Sequence, residues 1–156
     1  MPKYYKKKYY RGGSRDKYSV EQTAITTSLS DPSSTTSVVV VPAVTMQGMR
    51  KVKHLTISLA SQSEAFDALW WALVYVPQGT AVGDLSVTSG TSLYEPNQFV
   101  MNCGCFDFTA GPVRVSSPVS RNLNSGDAIY LVLRQGTSSS TAQTIRGVVK
   151  YAITLQ

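Results

Sequence analysis

The sequence predicts an all-β domain behind a basic arm, and three observations carry that expectation. The first is a charge partition. Within residues 1–17, Lys3, Lys6, Lys7, Lys8, Arg11, Arg15 and Lys17 stand against Asp16 alone, so this segment holds +6, the whole formal charge of the chain. Residues 18–156 carry eight basic and eight acidic side chains, which cancel. The second is composition: charged residues are sparse at 15%, while Ser, Thr, Val and Gly are plentiful, as suits strands of branched side chains joined by small polar turns. The third is a succession of short extended patterns with no helical period sustained beyond a turn or two.

The arm, residues 1–17, and the body, residues 18–156, are therefore expected to be distinct units. A body of about 139 residues is the usual size for one domain with one core. Tyr4, Tyr5, Tyr9 and Tyr10 sit among the lysines, and no aliphatic side chain follows Met1. Such a segment cannot offset the entropy of ordering, so it is expected to be disordered in the free chain, with Gly12 and Gly13 as a joint. Clustered Lys and Arg attract a polyanion by releasing its condensed counterions, and interleaved tyrosines can stack on unpaired bases. The eleven basic and tyrosine side chains of the arm are thus the candidate nucleic-acid-binding residues. Lys6, Lys7, Lys8 and Arg11 also fit a nuclear import signal. No amphipathic period marks a membrane-surface helix.

Along the body, Tyr18 to Leu29 reads as a first strand ending before Pro32, which stops pairing. Thr36 to Val44 follows, and its four valines, Val38 to Val41, suggest burial on both faces or a strand under a neighbouring subunit. From Arg50 to Leu59 the pattern alternates, with Leu55, Ile57 and Leu59 on one face and His54, Thr56 and Ser58 on the other. Phe66 to Val76 is apolar on both faces and is assigned to a strand because Trp-Trp and Val-Tyr-Val favour sheets and Pro77 closes it. There Trp70 is expected in the core and Trp71 at an interface, since adjacent strand residues point oppositely. A long connection, residues 78–97, has the length of a functional surface. Further strands are expected at Gln98 to Phe108, Val113 to Ser117, Ala128 to Arg134 and Ile145 to Leu155, with a turn-rich segment at residues 120–127. Eight antiparallel strands with one long crossover-type loop fit a jelly-roll sandwich, with a closed barrel or an immunoglobulin-like sandwich as alternatives.

Catalytic chemistry is weakly represented. His54 is the one histidine, no Gly-x-Ser-x-Gly elbow accompanies it, and it reads as an exposed strand residue. Cys103 and Cys105 with one histidine fall short of a structural zinc, and both are expected to be reduced thiols. Glu64 and Asp67, the closest carboxylate pair, read as turn capping. No phosphate-cradling glycine loop is present. The expectation is a non-enzyme without metal or cofactor. The longest nearly apolar run, Ala68 to Pro77, is half of what a membrane-spanning helix needs, and no apolar h-region follows the basic N-terminus.

Three phrases, ALVYVPQGT (72–80), TSLYEPNQFVMNCG (91–104) and AGPVRVSSPVSRNLNSGDAIYLVL (110–133), resemble the capsid proteins of small circular Rep-encoding single-stranded DNA viruses, the circovirus-like group. The resemblance implies a jelly-roll subunit that self-assembles into a small icosahedral T=1 virion around circular DNA, formed in the host nucleus with an import receptor as a further partner. With about sixty copies, arms of +6 would neutralise on the order of 360 phosphates. A longer genome would need body residues, for which Lys51, Lys53 and Lys150 are candidates. Two other readings remain: the capsid of a small satellite-type RNA virus, and a cellular single-strand-binding β module with a basic tail. The latter needs basic and aromatic side chains on one exposed face of the body, and the sequence displays no such cluster.

Overall fold

The computed structural model describes residues 18–29, 35–62, 68–136 and 142–155. The arm therefore lies outside the described residues, as do Glu64 and Asp67. Among these residues nine strands are formed: β1 (Ser19–Leu29), β2 (Thr35–Val41), β3 (Arg50–Ser61), β4 (Leu69–Val76), β5 (Val100–Phe106), β6 (Val113–Ser117), β7 (Arg121–Leu123), β8 (Ala128–Gln135) and β9 (Gln143–Leu155), with a 3-10 turn at Asn97–Phe99. They make two antiparallel sheets, one in the order β1-β9-β3-β6 with β7 also on β3, the other in the order β2-β8-β4-β5. The chain is a β-sandwich.

Pairing is nested. β1 pairs with β9, β2 with β8, β3 with β6 and β4 with β5, all antiparallel. Apart from short β7, the strands behave as one long hairpin wound across two sheets, so early strands meet late ones. β1 and β9 keep unbroken register from Ser19↔Ile153 to Leu29↔Gln143.

Several expectations are corrected. β7 occupies the start of the segment read as turn-rich. The turn itself follows it, where the Asp127 N–H donates to the Asn124 carbonyl at 3.2 Å and Gly126 takes φ +81°. β2 ends at Val41, before Pro42, not at Val44. It is an edge strand whose Val39 is 38% exposed, so within one chain the valine run is not buried on both sides. β5 begins at Val100 because residues 97–99 are coiled into the 3-10 turn. The tryptophans are reversed: Trp71 faces the inter-sheet core, stacked on Phe106 with ring centroids 5.0 Å apart, while half-buried Trp70 points to the opposite face.

Two apolar clusters account for the burial of β4 on both faces. The main core lies between the sheets and takes Ile25, Leu55, Ile57, Leu59, Val149 and Tyr151 from the first sheet, and Trp71, Leu73, Leu131 and Leu133 from the second. The smaller cluster lies on the outer face of the second sheet, where Ala72, Val74, Val76 and Val132 are covered by Leu85 and Tyr94 from the 78–97 connection. That connection is a small hairpin closed by a Leu85↔Tyr94 bridge. The Gly83 N–H donates to the Tyr94 hydroxyl at 3.0 Å, and a Cβ on Gly83 would overlap the Glu95 carbonyl oxygen. The Leu85 N–H donates to Thr35 Oγ1 at 3.1 Å, and the Arg134 guanidinium donates to the Leu85 carbonyl.

One end of the sandwich is tied by Asp127, which is buried. Its carboxylate accepts from the Tyr75 hydroxyl at 2.7 Å, the Asn124 N–H at 2.8 Å and the Gln78 N–H at 3.0 Å. Burial pushes this carboxyl up, yet the donors from Tyr75, Asn124 and Gln78 outweigh it and hold the group below the usual carboxylate value. Arg50, equally buried, donates to the Pro42 and Asp127 carbonyls, each at 3.0 Å. A carboxylate saturated by three donors is a strut between β4, the 124–127 turn and the chain after β4, not a proton acceptor in waiting.

Candidate nucleic-acid interface

No described connection covers the outer face of the first sheet, and its chemistry follows from strand parity. Residues paired directly across antiparallel strands share a face. With Ile25, Ile57, Val149 and Tyr151 turned inward, the alternate positions turn outward. On β1 these are Val20, Gln22, Ala24, Thr26 and Ser28. Lys51 pairs with Thr154 and Asn122, Lys53 with Ala152, Lys150 with Gln22 and Thr56, Arg146 with Thr26 and Ala60, and Arg114 with Ser58. Five cations therefore stand on one face, and none of these positions holds Asp or Glu.

The described carboxylates lie elsewhere. Asp84 and Glu95 belong to the hairpin on the opposite sheet, Asp107 to the β5–β6 turn, and Asp127 to the buried strut. Glu21 accepts from the Tyr151 hydroxyl at 2.9 Å on the inward side of β1. A strand rise of about 3.3 Å and a strand spacing of about 4.8 Å separate neighbouring cations on this face by distances comparable to the ~10 Å Debye length at 0.1 M salt. Their fields consequently add. Between them the side chains are small, including Ala24, Ser58, Ala60 and Ala152, so a polyanion can approach the sheet closely.

The arm joins the body at this face. Tyr18, the residue preceding β1, lies beneath Lys53, whose Nζ is 3.6 Å from the ring centroid. A cation over an aromatic face at this distance is an attractive contact, and it fixes the root of the arm beside the outward cations. The arm's own candidates, Lys3, Lys6, Lys7, Lys8, Arg11, Arg15, Lys17, Tyr4, Tyr5, Tyr9 and Tyr10, lie outside the described residues. Of the body candidates, Lys51, Lys53 and Lys150 are brought together. Arg114 and Arg146 complete the group and were missed by the sequence reading, which saw no basic cluster in the body.

His54 departs from its expected place on a regular alternating strand. Its φ is +55°, and β3 advances from Lys53 to Thr56 while β9 advances only from Ala152 to Lys150. Two residues of β3 thus oppose one of β9, a β-bulge whose first residue is left-handed. The extra residue resets the parity, which is why Val52 and Leu55, three apart, both face the core.

Other chemistries find little support. Among the described residues no group of three or more His, Cys, Asp or Glu could hold a metal ion. Cys103 and Cys105 are exposed free thiols, and the Cys105 thiol is pushed up by burial and by nearby Asp107. Among the described residues no helix is long and apolar enough to cross a membrane. Compared with known proteins, the chain matches no family model, and none of the curated proteins matches it.

Proposed function

We propose that this protein is the coat subunit of a small icosahedral shell, with a jelly-roll body whose cationic sheet face and basic arm hold single-stranded DNA without sequence preference. The observation that carries the reading is the set of five outward cations on a face where no described position holds a carboxylate, with Tyr18 at the root of the arm beside them. Phosphate neutralisation by Lys and Arg supplies most sequence-independent affinity, and a face with no opposing carboxylate loses none of that attraction to internal pairing. The jelly-roll assignment is supported by the nested pairing of β1 to β6, β8 and β9 and by two four-membered sheet orders, β1-β9-β3-β6 and β2-β8-β4-β5. Exposed apolar side chains away from that face, among them Leu155 at 65% and Val87 at 38%, suit burial between subunits. In this reading the protein is not an enzyme and needs no metal or cofactor. It accumulates in the virion, and Lys6, Lys7, Lys8 and Arg11 engage a nuclear import receptor before assembly.

Expression of the whole chain tests this. Closed particles by electron microscopy, carrying nuclease-protected DNA, are the expected result; protected RNA instead would favour a satellite-type capsid. Removal of residues 2–17 should leave the fold intact and lower the packaged nucleic acid. A stable monomer across salt and pH would sink the shell. The cationic body face does favour one rival, a cellular single-strand-binding module. Tight single-strand binding by residues 18–156 that stay monomeric would select it.

A further inference from the structure

The cationic face carries an aromatic ring as well as charge. Tyr18 extends the outward alternation of β1 beyond Val20, and its ring lies under outward-pointing Lys53, with Nζ 3.6 Å from the centroid. The residue is half-buried, so part of the ring meets solvent. The other outward positions described on β1, β3, β6, β7 and β9 hold aliphatic, hydroxyl, amide or basic side chains, and Tyr151 turns inward to Glu21. Tyr18 is therefore the one aromatic among the described residues of this face.

Its surroundings suit a nucleotide. Ser19 pairs with Ile153 and Lys51 with Thr154, so Tyr18 stands level with Lys51, separated from it by β9. On β9 the intervening outward side chains are Ala152 and Thr154, both small, so the ground between the ring and the two lysines is low. Lys51 and Lys53, two residues apart on β3, have backbones about 6.6 Å apart at about 3.3 Å per residue, close enough to hold successive phosphates of one strand. Lys53 reaches across β9 to lie on the ring, where it gains a cation–π contact. A phosphate offers that ammonium a stronger, charge-assisted partner. Once Lys53 turns to it, the ring face it covered is free, and an unpaired base stacks there whatever its identity.

We propose that Tyr18 is a stacking platform for one base of a single strand, uncovered when Lys53 moves from the ring to the adjacent phosphate. The inference rests on the nucleic-acid reading of the cationic face. It adds a strand preference that charge does not provide, because the paired bases of a duplex are already stacked on one another.

The test uses the full chain with three labelled probes: a short oligothymidine, an abasic strand of equal charge, and the matching duplex. The arm is unchanged in every variant, so its own contribution cancels. Tyr18→Leu should weaken oligothymidine binding by about tenfold, the scale of one stacked base, with abasic affinity, duplex affinity and Tm unchanged. Tyr18→Phe keeps the ring and should bind oligothymidine as the wild type does. Equal losses on all three probes in Tyr18→Leu, no loss on oligothymidine, or a Tyr18→Phe variant as weak as Tyr18→Leu would overturn the platform. A Lys53→Ala, Arg146→Ala, Lys150→Ala variant separates the two readings. If it weakens every probe while Tyr18→Leu weakens none, only the platform fails. If it weakens none, the cationic face fails and the platform with it.

Discussion

The two sheets are made of similar alternating strands, yet their outer faces have opposite fates. On the second sheet, Ala72, Val74, Val76 and Val132 point outward, and the 78–97 hairpin closes over them with Leu85 and Tyr94. On the first sheet, the equivalent positions are Ser, Thr, Ala, Gln, Asn122, two valines (Val20 and Val148) and five cations, and none of the described connections covers them. A face that is apolar must recruit cover, because leaving it in water forfeits about 25 cal/mol per Å². A mainly small and polar face whose cations meet no described carboxylate has little to gain from apolar cover. The sandwich is thus asymmetric by side-chain choice: one side is a second core, the other a bare electrostatic surface.

The largest expected effect probes the covered side. Tyr94→Ala removes the ring from the second core and the hydroxyl that accepts from Gly83, and should cost about 3–5 kcal/mol in urea unfolding. A loss below about 1 kcal/mol would mean that the hairpin rests on the sheet without belonging to its cooperative unit, and the contrast between the faces would weaken. Next is the strut that joins them at one end. Asp127→Ala leaves three donors without their acceptor and should cost about 3 kcal/mol. Because the folded carboxyl sits below its ordinary value, its contribution is complete above the unfolded value of about 3.9 and is lost as pH falls through the folded one. Acid unfolding of the wild type, absent in shape from the variant, checks this.

On the bare side, replacing Lys53, Arg146 and Lys150 with Ala should leave urea stability unchanged. It should reduce the slope of log affinity against log salt for single strands by about 2, at about 0.7 per contact. An unchanged slope would remove these cations from the interface. The smallest effect is alkaline. Burial and the hydrogen bond to Glu21 push Tyr151 up to about 12 from 10.0, so its neutral form is favoured in the fold. The associated stability is intact below pH 10 and drains away between about 10 and 12, and Tyr151→Phe should flatten that decline.

Much of this was legible from residue order. Charge partition placed the net +6 within residues 1–17. Period-two alternation assigned Leu55, Ile57 and Leu59 to the core, and turn residues marked most strand ends. The apolar run of β4 announced burial on both faces, though not that its outer cover would come from the same chain. Trp70 and Trp71 were known to point oppositely, but alternation has no absolute phase, so which of them met Phe106 waited on the partner strands. Even Arg146 and Lys150, four apart on β9, could have been placed on one face by parity.

Sequence alone determined the local terms: which positions are extended, which alternate, where the charge resides. Tertiary structure decided which strands became neighbours. Arg114 joined Ser58, and Lys150 joined Gln22 and Thr56, because nested pairing brings distant segments into contact, Glu21 and Tyr151, 130 residues apart, among them. It likewise decided the bulge at His54, since an extra residue exists only relative to the strand across from it. Propensity acts over a few residues, whereas a surface field is a sum over strands, and only the folded sheet performs that sum.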